Sequence, residues 1–271
     1  MPAMLMRFHK MQGLGNDFVV IDARDHMVAI GEQRARALAD RRTGVGCDQV
    51  ILIGSSAKAD VSMRIWNADG SEVEACGNAT RCVPVLVGRD CTVETAAGIL
   101  DAHLADRGAT VDMGRARFGW DEIPLAYAMD TTVLPVGWGE LEHPTAVNMG
   151  NPHLVFFVED IEAVPLGEVG PRIEHDPLFP NRINVNIATL VEPGHVRMKT
   201  WERGTGLTLA CGTGACATFA AGRKLGKLLT EVRLDLPGGS LMLAEGPDGH
   251  LLMSGPATHV FTGEIDLDQI G

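Results

Sequence analysis

Apolar and polar residues alternate in short runs along most of this chain, and three stretches instead carry apolar residues at helical spacing. Leu5 to His9 predicts a strand, and Phe18 to Asp22 a second one after the Gly-rich turn Gly13-Leu14-Gly15-Asn16-Asp17. Gly31 to Arg42, rich in Ala, Arg and Leu, predicts an amphipathic helix. Val50 to Ile53 and Val61 to Trp66 read as strands. The apolar segment from Gly77 to Val87 reads as a helix, within which Pro84 predicts a kink or an early break. Thr92 to Thr95, Leu100 to Leu104 and Thr110 to Met113 follow as strands, and Arg115 to Gly139, with Pro124 and Pro135, reads as a crossover. Beyond it come strands at Leu154 to Val158, Ile183 to Leu190 and His195 to Trp201, then an Ala-rich helix from Gly212 to Leu225. Asp235 to Leu243 and His250 to Ser254 read as a hairpin pair, with turns at Gly238-Gly239 and Gly246-Pro247-Asp248-Gly249.

The second half repeats the plan of the first. Ala75-Cys76-Gly77 and Ala210-Cys211-Gly212 stand at an offset of 135 (211 − 76), and the same offset lays Gly15-Asn16 on Gly150-Asn151, Met63 on Met198 and Trp66 on Trp201. So many identities in one register mark an internal duplication. Strands outnumber helices in each copy, which predicts an α+β chain of two pseudo-symmetric domains with mostly antiparallel sheets. Two thiols related by that symmetry would face each other across one cleft, a geometry suited to moving a proton from one face of a carbon to the other.

Composition narrows the function. A net charge of −12, with no cluster of Lys and Arg, argues against nucleic acid as a partner. No apolar run has the length that spans a bilayer, and the first ten residues lack the pattern of an export signal, so a cytoplasmic chain without a membrane partner is expected. Six cysteines in 271 residues permit disulfides, but staples belong to short secreted chains, and Cys76-x5-Cys82 and Cys211-x4-Cys216 lack the paired spacing of a structural zinc site.

A cysteine directly before a helix is chemically special. First-turn N–H groups and the helix dipole favour negative charge there, which lowers a thiol pKa and also suits a carboxylate ligand. Gly77 and Gly212 leave room for close approach, and Asn78 and Thr213 follow as polar caps. Either cysteine alone would read as a small buried hydrophobe; two in matched turns read as a functional pair. Cys82 and Cys216 fall inside the apolar helices, and Cys47 and Cys91 lie in a loop and a strand start, so none of these four is assigned chemistry. Asn16, Gln49, Asn67, Asn151 and Asn184 form an uncharged polar set suited to a zwitterion. Glu202-Arg203 adds charge on one side only, Asn67 being the repeat partner of Glu202; the alternative reading of that pair is a surface ion pair. His153 stands where the first copy has Phe18, close enough in sequence to a Gly-Asn turn to act on a thiol.

At these residues the chain resembles the diaminopimelate epimerases. The segments that carry the likeness are 8–18, Trp66-Asn67-Ala68-Asp69-Gly70-Ser71 with Ala75-Cys76-Gly77-Asn78, Gly150-Asn151-Pro152-His153, and Trp201-Glu202-Arg203-Gly204 with Ala210-Cys211-Gly212-Thr213-Gly214. The resemblance implies Cys76 and Cys211 as the two acid/base residues, with His153 and Glu202 setting their protonation. It implies substrate contacts from Asn16, Gln49, Asn67, Asn151, Asn184, Glu202 and Arg203, and from the turns Gly77-Asn78 and Gly212-Thr213. It further implies no pyridoxal phosphate or metal, a homodimer, and a fold in which each half is a curved sheet around a central helix. The halves would be 1–118 and 119–261, with 262–271 returning to the first. The chain departs from the family pattern at Asn78-Ala79-Thr80 before Arg81-Cys82, at Pro84 and at Cys47. Rival readings are an epimerase of proline or hydroxyproline, where a His rather than Asn78 is the rule after the first Cys-Gly, a thiol–disulfide switch, and a non-catalytic binder of small molecules.

Overall fold

A computed structural model describes residues 5–26, 28–73, 76–267 and 269–270. Ala75 of the first Ala-Cys-Gly turn, and residues 268 and 271 of the expected C-terminal return, lie outside the described residues. In chain order the first copy runs β1 (Leu5–Gly13), β2 (Asn16–Asp22), α1 (Glu32–Ala39), β3 (Gln49–Gly54), β4 (Val61–Asn67), β5 (Glu72–Val73), α2 (Gly77–Val87), β6 (Cys91–Thr95), β7 (Gly98–Ala105) and β8 (Gly108–Asp112). The second runs β9 (Gly137–Trp138), β10 (Leu141–Glu142), β11 (Thr145–Asn148), β12 (Pro152–Phe157), α3 (Leu166–Glu174), β13 (Asn184–Glu192), β14 (His195–Glu202), β15 (Gly206–Thr208), α4 (Gly212–Lys224), β16 (Glu231–Leu236), β17 (Gly239–Glu245) and β18 (Leu251–Pro256), and β19 (Thr258–Asp266) follows. Two compact units result, Met1–Val111 with Gly255–Gly271, and Asp112–Ser254.

Both units share one connectivity. In the first, β1–β2 is antiparallel, β2–β3 parallel, β3–β4 and β4–β5 antiparallel, β4–β6 parallel, and β6–β7–β8 antiparallel. In the second the same sequence of pairings runs through β11, β12, β13, β14, β15, β16, β17 and β18. Register repeats as well as order. Val50 pairs with Trp66 as Val185 pairs with Trp201, and after the helices Cys91 pairs with Ala102 as Val232 pairs with Leu243, the offset having grown to 141 (232 − 91). Each sheet bends around one helix: α2 touches β1, β6, β7 and β19, and α4 touches β11, β12, β13 and β17, strands too far apart in sheet order to meet a helix on a flat sheet. The fold is thus the expected α+β duplication with mostly antiparallel, curved sheets around central helices.

The central helices are buried nearly all round because their sequences are small and apolar. Every residue from Gly77 to Pro84 is buried, as is α4 from Gly214 to Gly222. Of the kink or early break expected at Pro84, the break does not occur: the helix runs to Val87, and Gly88, in the left-handed region at φ 78°, caps it by donating its N–H to Pro84 O at 2.8 Å. A proline this close to the C-cap removes one bond of a helix already ending. On the outer faces of the sheets, α1 packs over a core of Val19, Ile21, Val50 and Trp66, and α3 over Leu154, Phe156, Val185 and Ile187. The segment expected as a crossover supplies Ile123, Leu125 and Leu134 to that second core. The hairpin segment Asp235–Leu243 holds parts of two strands, β16 and β17, joined at Pro237-Gly238, one residue before the expected Gly238-Gly239 turn; the alternation begins at Glu231. Helix α3 and the strands β11 and β19 form where the apolar pattern alone predicts no element.

Candidate active site

In unit 1 the expected residues lie at the ends of β2, β3 and β4 and at the start of α2. Cys76 is the N-cap of α2, in extended conformation at φ −146°, and its carbonyl accepts both the N–H and the hydroxyl of Thr80 at 2.9 Å. The thiol is half-buried, while Gly77 and Asn78 are buried. Gln49 and Asn67 are cross-strand partners, and Gln49 Nε2 donates to Asn67 Oδ1 at 3.0 Å. Asn67 in turn donates to Ser71 Oγ at 3.1 Å. Gln49 Oε1 is buried and finds no hydrogen-bond partner among the described residues, so it can accept from a ligand's donor. Asn16 opens β2 beside a charged network in which Lys10 and Arg41 both bind the Asp17 carboxylate, and Arg41 also reaches Asp48 at 2.8 Å. Burial opposes ionisation of Asp17, but the hydrogen bonds from Arg41 and Lys10 overcome it and hold this carboxyl well below the usual range. That network fixes the β2 and β3 starts on which Asn16 and Gln49 sit.

In unit 2 the expected residues lie in the same places, and here hydrogen bonds join most of them. Cys211 is the N-cap of α4 at φ −122°, and its Sγ accepts the Gly214 N–H at 3.4 Å and lies 3.5 Å from Thr213 Oγ1. Gly214 is required here: a Cβ would lie 2.5 Å from Asn186 Oδ1 and 3.2 Å from the sulfur. A chain of neutral groups leads away from the thiol. Asn151 donates to Thr213 Oγ1 at 3.3 Å, His153 Nε2 meets Asn151 Oδ1 at 2.9 Å, and Asn186 Nδ2 meets His153 Nδ1 at 3.2 Å. Asn186 Oδ1 accepts the Thr200 hydroxyl at 2.9 Å. This network assigns the proton of His153 to Nε2. Burial, with a smaller contribution from the Arg203 charge, lowers the His153 pKa to about 3, so the ring is neutral.

Glu202 ends β14 with its carboxylate on Thr208 Oγ1 at 2.5 Å and on the Cys211 thiol. Burial pushes the Cys211 thiol well above the ordinary value, and the Glu202 charge pushes the same way, against the hydrogen bonds from Thr213 and Gly214. The expectation that a helix start lowers both thiols therefore fails at Cys211. A helix terminus stabilises a charge by about 1 kcal/mol, and full burial beside a carboxylate outweighs it. Burial also raises the Glu202 carboxyl. Glu202 and Arg203 do not pair with one another: the exposed Arg203 donates its N–H to Asn184 Oδ1 and its guanidinium to Asn181 O, both at 2.9 Å. Asn184 also donates to Pro152 O at 2.8 Å, so its amide ties the Arg203 turn to β12.

In unit 1 hydrogen bonds join Gln49 with Asn67, while Asn16 opens β2 and Cys76, Gly77 and Asn78 stand at the start of α2; in unit 2 they join Asn151, His153, Thr213, Cys211 and Glu202, and Asn184 with Arg203. Thr208, Asn186 and Thr200 join the second group without having been expected there. Asn186 had a signal, a polar residue two positions after Asn184 in an otherwise apolar strand; Thr208 had none.

The family model for diaminopimelate epimerase matches residues 8–119 and 145–260. The chain belongs to the diaminopimelate epimerase family. It is 61% identical over 264 residues to the diaminopimelate epimerase of Zymomonas mobilis, covering 97% of this chain and 98% of that one. It is 60% identical over 269 residues to that of Rhizorhabdus wittichii, covering 99% and 98%. Among solved structures, a Bacillus anthracis phenazine biosynthesis protein of the PhzF family superposes with a TM-score of 0.69 at 17% identity, covering 96% of this chain and 99% of that one. That last likeness extends the fold well beyond the diaminopimelate epimerases, while the matched model spans both cysteine turns.

Proposed function

We propose that this protein is an isomerase that interconverts LL- and meso-2,6-diaminopimelate by two-thiol proton transfer, a precursor step for lysine and peptidoglycan. The observation that carries the reading is the pair of cysteine N-caps, Cys76 on α2 and Cys211 on α4, at matching register positions in a member of this family. Burial favours the thiol form of Cys211, and the direction proposed here has Cys211 as the acid and Cys76 as the base. The Cys76 sulfur takes the α-proton, the C–H electron pair passes to the α-carbon and its carboxylate, and the Cys211 S–H bond breaks to deliver a proton to the opposite face. Cys76 ends as the thiol and Cys211 as the thiolate, and the reverse reaction restores them. First-turn N–H groups at a cysteine turn are suited to spreading the developing charge on a carboxylate. Glu202 acts on the Cys211 proton, and the neutral His153 fixes Asn151 and Thr213 beside it. Arg203 takes the distal carboxylate, and Gln49 Oε1 accepts a substrate N–H. These steps call for neither pyridoxal phosphate nor a metal.

The test is proton exchange by NMR in heavy water. Reduced protein with LL-diaminopimelate produces the meso isomer carrying deuterium at one α-carbon, and the Cys76→Ala/Cys211→Ala protein does not. Exchange into proline or hydroxyproline alone would keep the mechanism and overturn the substrate; exchange into none of them would sink both.

We further propose a cytoplasmic homodimer. No helix of the described residues is long and apolar enough to cross a membrane. Val260 and Phe261 on β19 are large apolar side chains exposed on the β1–β19 ladder of unit 1, which a second copy would cover. Light scattering on the wild type and on Phe261→Asp gives two chains and one chain respectively if this is right, and equal masses if it is not.

A further inference from the structure

We propose that Glu174 is a positioning residue that holds the Trp201–Gly204 turn, and through it the Arg203 guanidinium, in the geometry that binds a substrate carboxylate. The inference rests on the proposed diaminopimelate reading for the identity of that carboxylate. Glu174 closes α3 and is 2% exposed, with a carboxylate whose two oxygens are used separately. Oε2 accepts the indole N–H of Trp201 at 2.7 Å, and Oε1 accepts the backbone N–H of Gly204 at 2.9 Å. These two donors stand immediately before and immediately after Glu202-Arg203. One carboxylate thus brackets the only charged pair among the expected site residues.

The surroundings are built for that bracket. Gly170, one helical turn before Glu174, has the Trp201 ring where a side chain would be: a Cβ there would lie 2.6 Å from Trp201 Cγ. Gly204 sits in the left-handed region at φ 75°, which lets its N–H turn back toward α3. Arg182, itself left-handed at φ 58°, brings its guanidinium to 3.6 Å from Glu174 Oε1. Its neighbour Asn181 offers the carbonyl that the Arg203 guanidinium binds. The segment after α3 therefore grips Arg203 from its far side while Glu174 grips the turn from below.

The duplication supplies a control. The repeat partner of Glu174 is Ala39, which also ends its helix, and the turn that follows Trp66 carries the neutral pair Asn67-Ala68. Helix and sheet pack in unit 1 without a carboxylate. Burying one in unit 2 is costly unless it is fully hydrogen-bonded, and it occurs where the turn presents charge. Arg recognises a carboxylate through a planar fork, so small rotations of its backbone forfeit the second bond.

The test compares wild type, Glu174→Gln, Arg203→Met and the double variant, all full-length and reduced. In Glu174→Gln one N–H donor faces an amide NH2 instead of an oxygen. The KM for LL-diaminopimelate is expected to rise roughly tenfold with kcat within about twofold, and the same substitution on top of Arg203→Met is expected to add nothing. An unchanged KM, a fall in kcat alone, or full additivity with Arg203→Met would overturn the proposal. Amide exchange followed by NMR is a second readout, independent of turnover. The Arg203 and Gly204 amides exchange at least roughly tenfold faster in Glu174→Gln while those of β13 keep their rates; equal rates would overturn it. If the wild type leaves diaminopimelate untouched, the functional reading fails and the exchange rates alone decide on Glu174. Should Glu174→Gln not fold, Trp201→Phe removes one of the two donors with the ring packing kept, and carries the same expectations.

Discussion

His153 and Phe18 hold the same position in the two copies, and both are fully buried. An apolar ring is therefore compatible with this place in the fold, and the imidazole is there for its two nitrogens. With a folded pKa of about 3 against an ordinary value near 6.5, the unfolded chain binds a proton that the folded chain refuses. The contribution of His153 to stability is whole above pH 6.5 and is lost as the pH falls toward 3. One proton costs about 1.4 kcal/mol per pH unit, so about 2 kcal/mol has gone by pH 5. His153→Phe removes this dependence. Urea unfolding at several pH values is expected to show the variant losing about 2 kcal/mol less than wild type between pH 6.5 and 5, with Asp17 and the other carboxylates cancelling in the difference. Parallel curves would mean that the ring is charged in the fold. At this scale the sequence reveals residues that have a repeat partner or a motif around them, such as Cys76, Cys211 and Asn151. Glu174, Thr208 and Asn181 act through partners brought near by the sheet, and nothing beside them in the chain announces it.

Helix α4 shows how one element carries a site. Its N-terminus must admit the Cys211 sulfur to the Gly214 N–H while β13 presses Asn186 against the same spot, and only a residue without a Cβ allows both. Gly214→Ala would favour the helix by propensity, by about 1 kcal/mol. The Cβ at 2.5 Å from Asn186 Oδ1 reverses the sign, because Asn186 is itself bonded to His153, Leu154 and Thr200 and has nowhere to move. The expected result is a loss of about 1–3 kcal/mol in stability and at least a tenfold fall in kcat. Calorimetry and turnover check the two together, and a more stable, fully active variant would show the contact to be slack. The elements themselves are legible where periodicity is strong, as in α4 and β14. Helix α3 escapes the local pattern because Gly167, Gly170 and Pro171 depress its helical propensity. Yet the duplication offset carries α1, Glu32–Ala39, onto 167–174, and α3 is Leu166–Glu174. The repeat holds information that the local pattern lacks.

The two units are equivalent in connectivity but not in how the chain closes them. Unit 2 is one continuous stretch, Asp112–Ser254, with its own core around Leu154, Val185 and Ile173. Unit 1 is discontinuous. Its first strand, β1, pairs along its length with β19, from Leu5 opposite Asp266 to Gln12 opposite Thr258, and β19 arrives only after the second copy is complete. Met6 and Phe8 of β1 are buried in the core to which Leu267 and Ile265 also belong. A chain cut after Val111 would leave that ladder unpaired and that core open, and a small domain has little stability to lose. Fragment 112–254 is therefore expected to unfold cooperatively in urea on its own, and fragment 1–111 is not. Joining 1–111 to 255–271 through a flexible linker is expected to restore a cooperative transition, with a gain of several kcal/mol for the eight-pair ladder and its buried side chains. A sharp transition in 1–111 alone would show that β19 decorates unit 1 without completing it. The distinction bears on the proposed reaction, because Cys76 lies in the unit that is finished last: its place at the start of α2 would be fixed only when the C-terminal strand has docked.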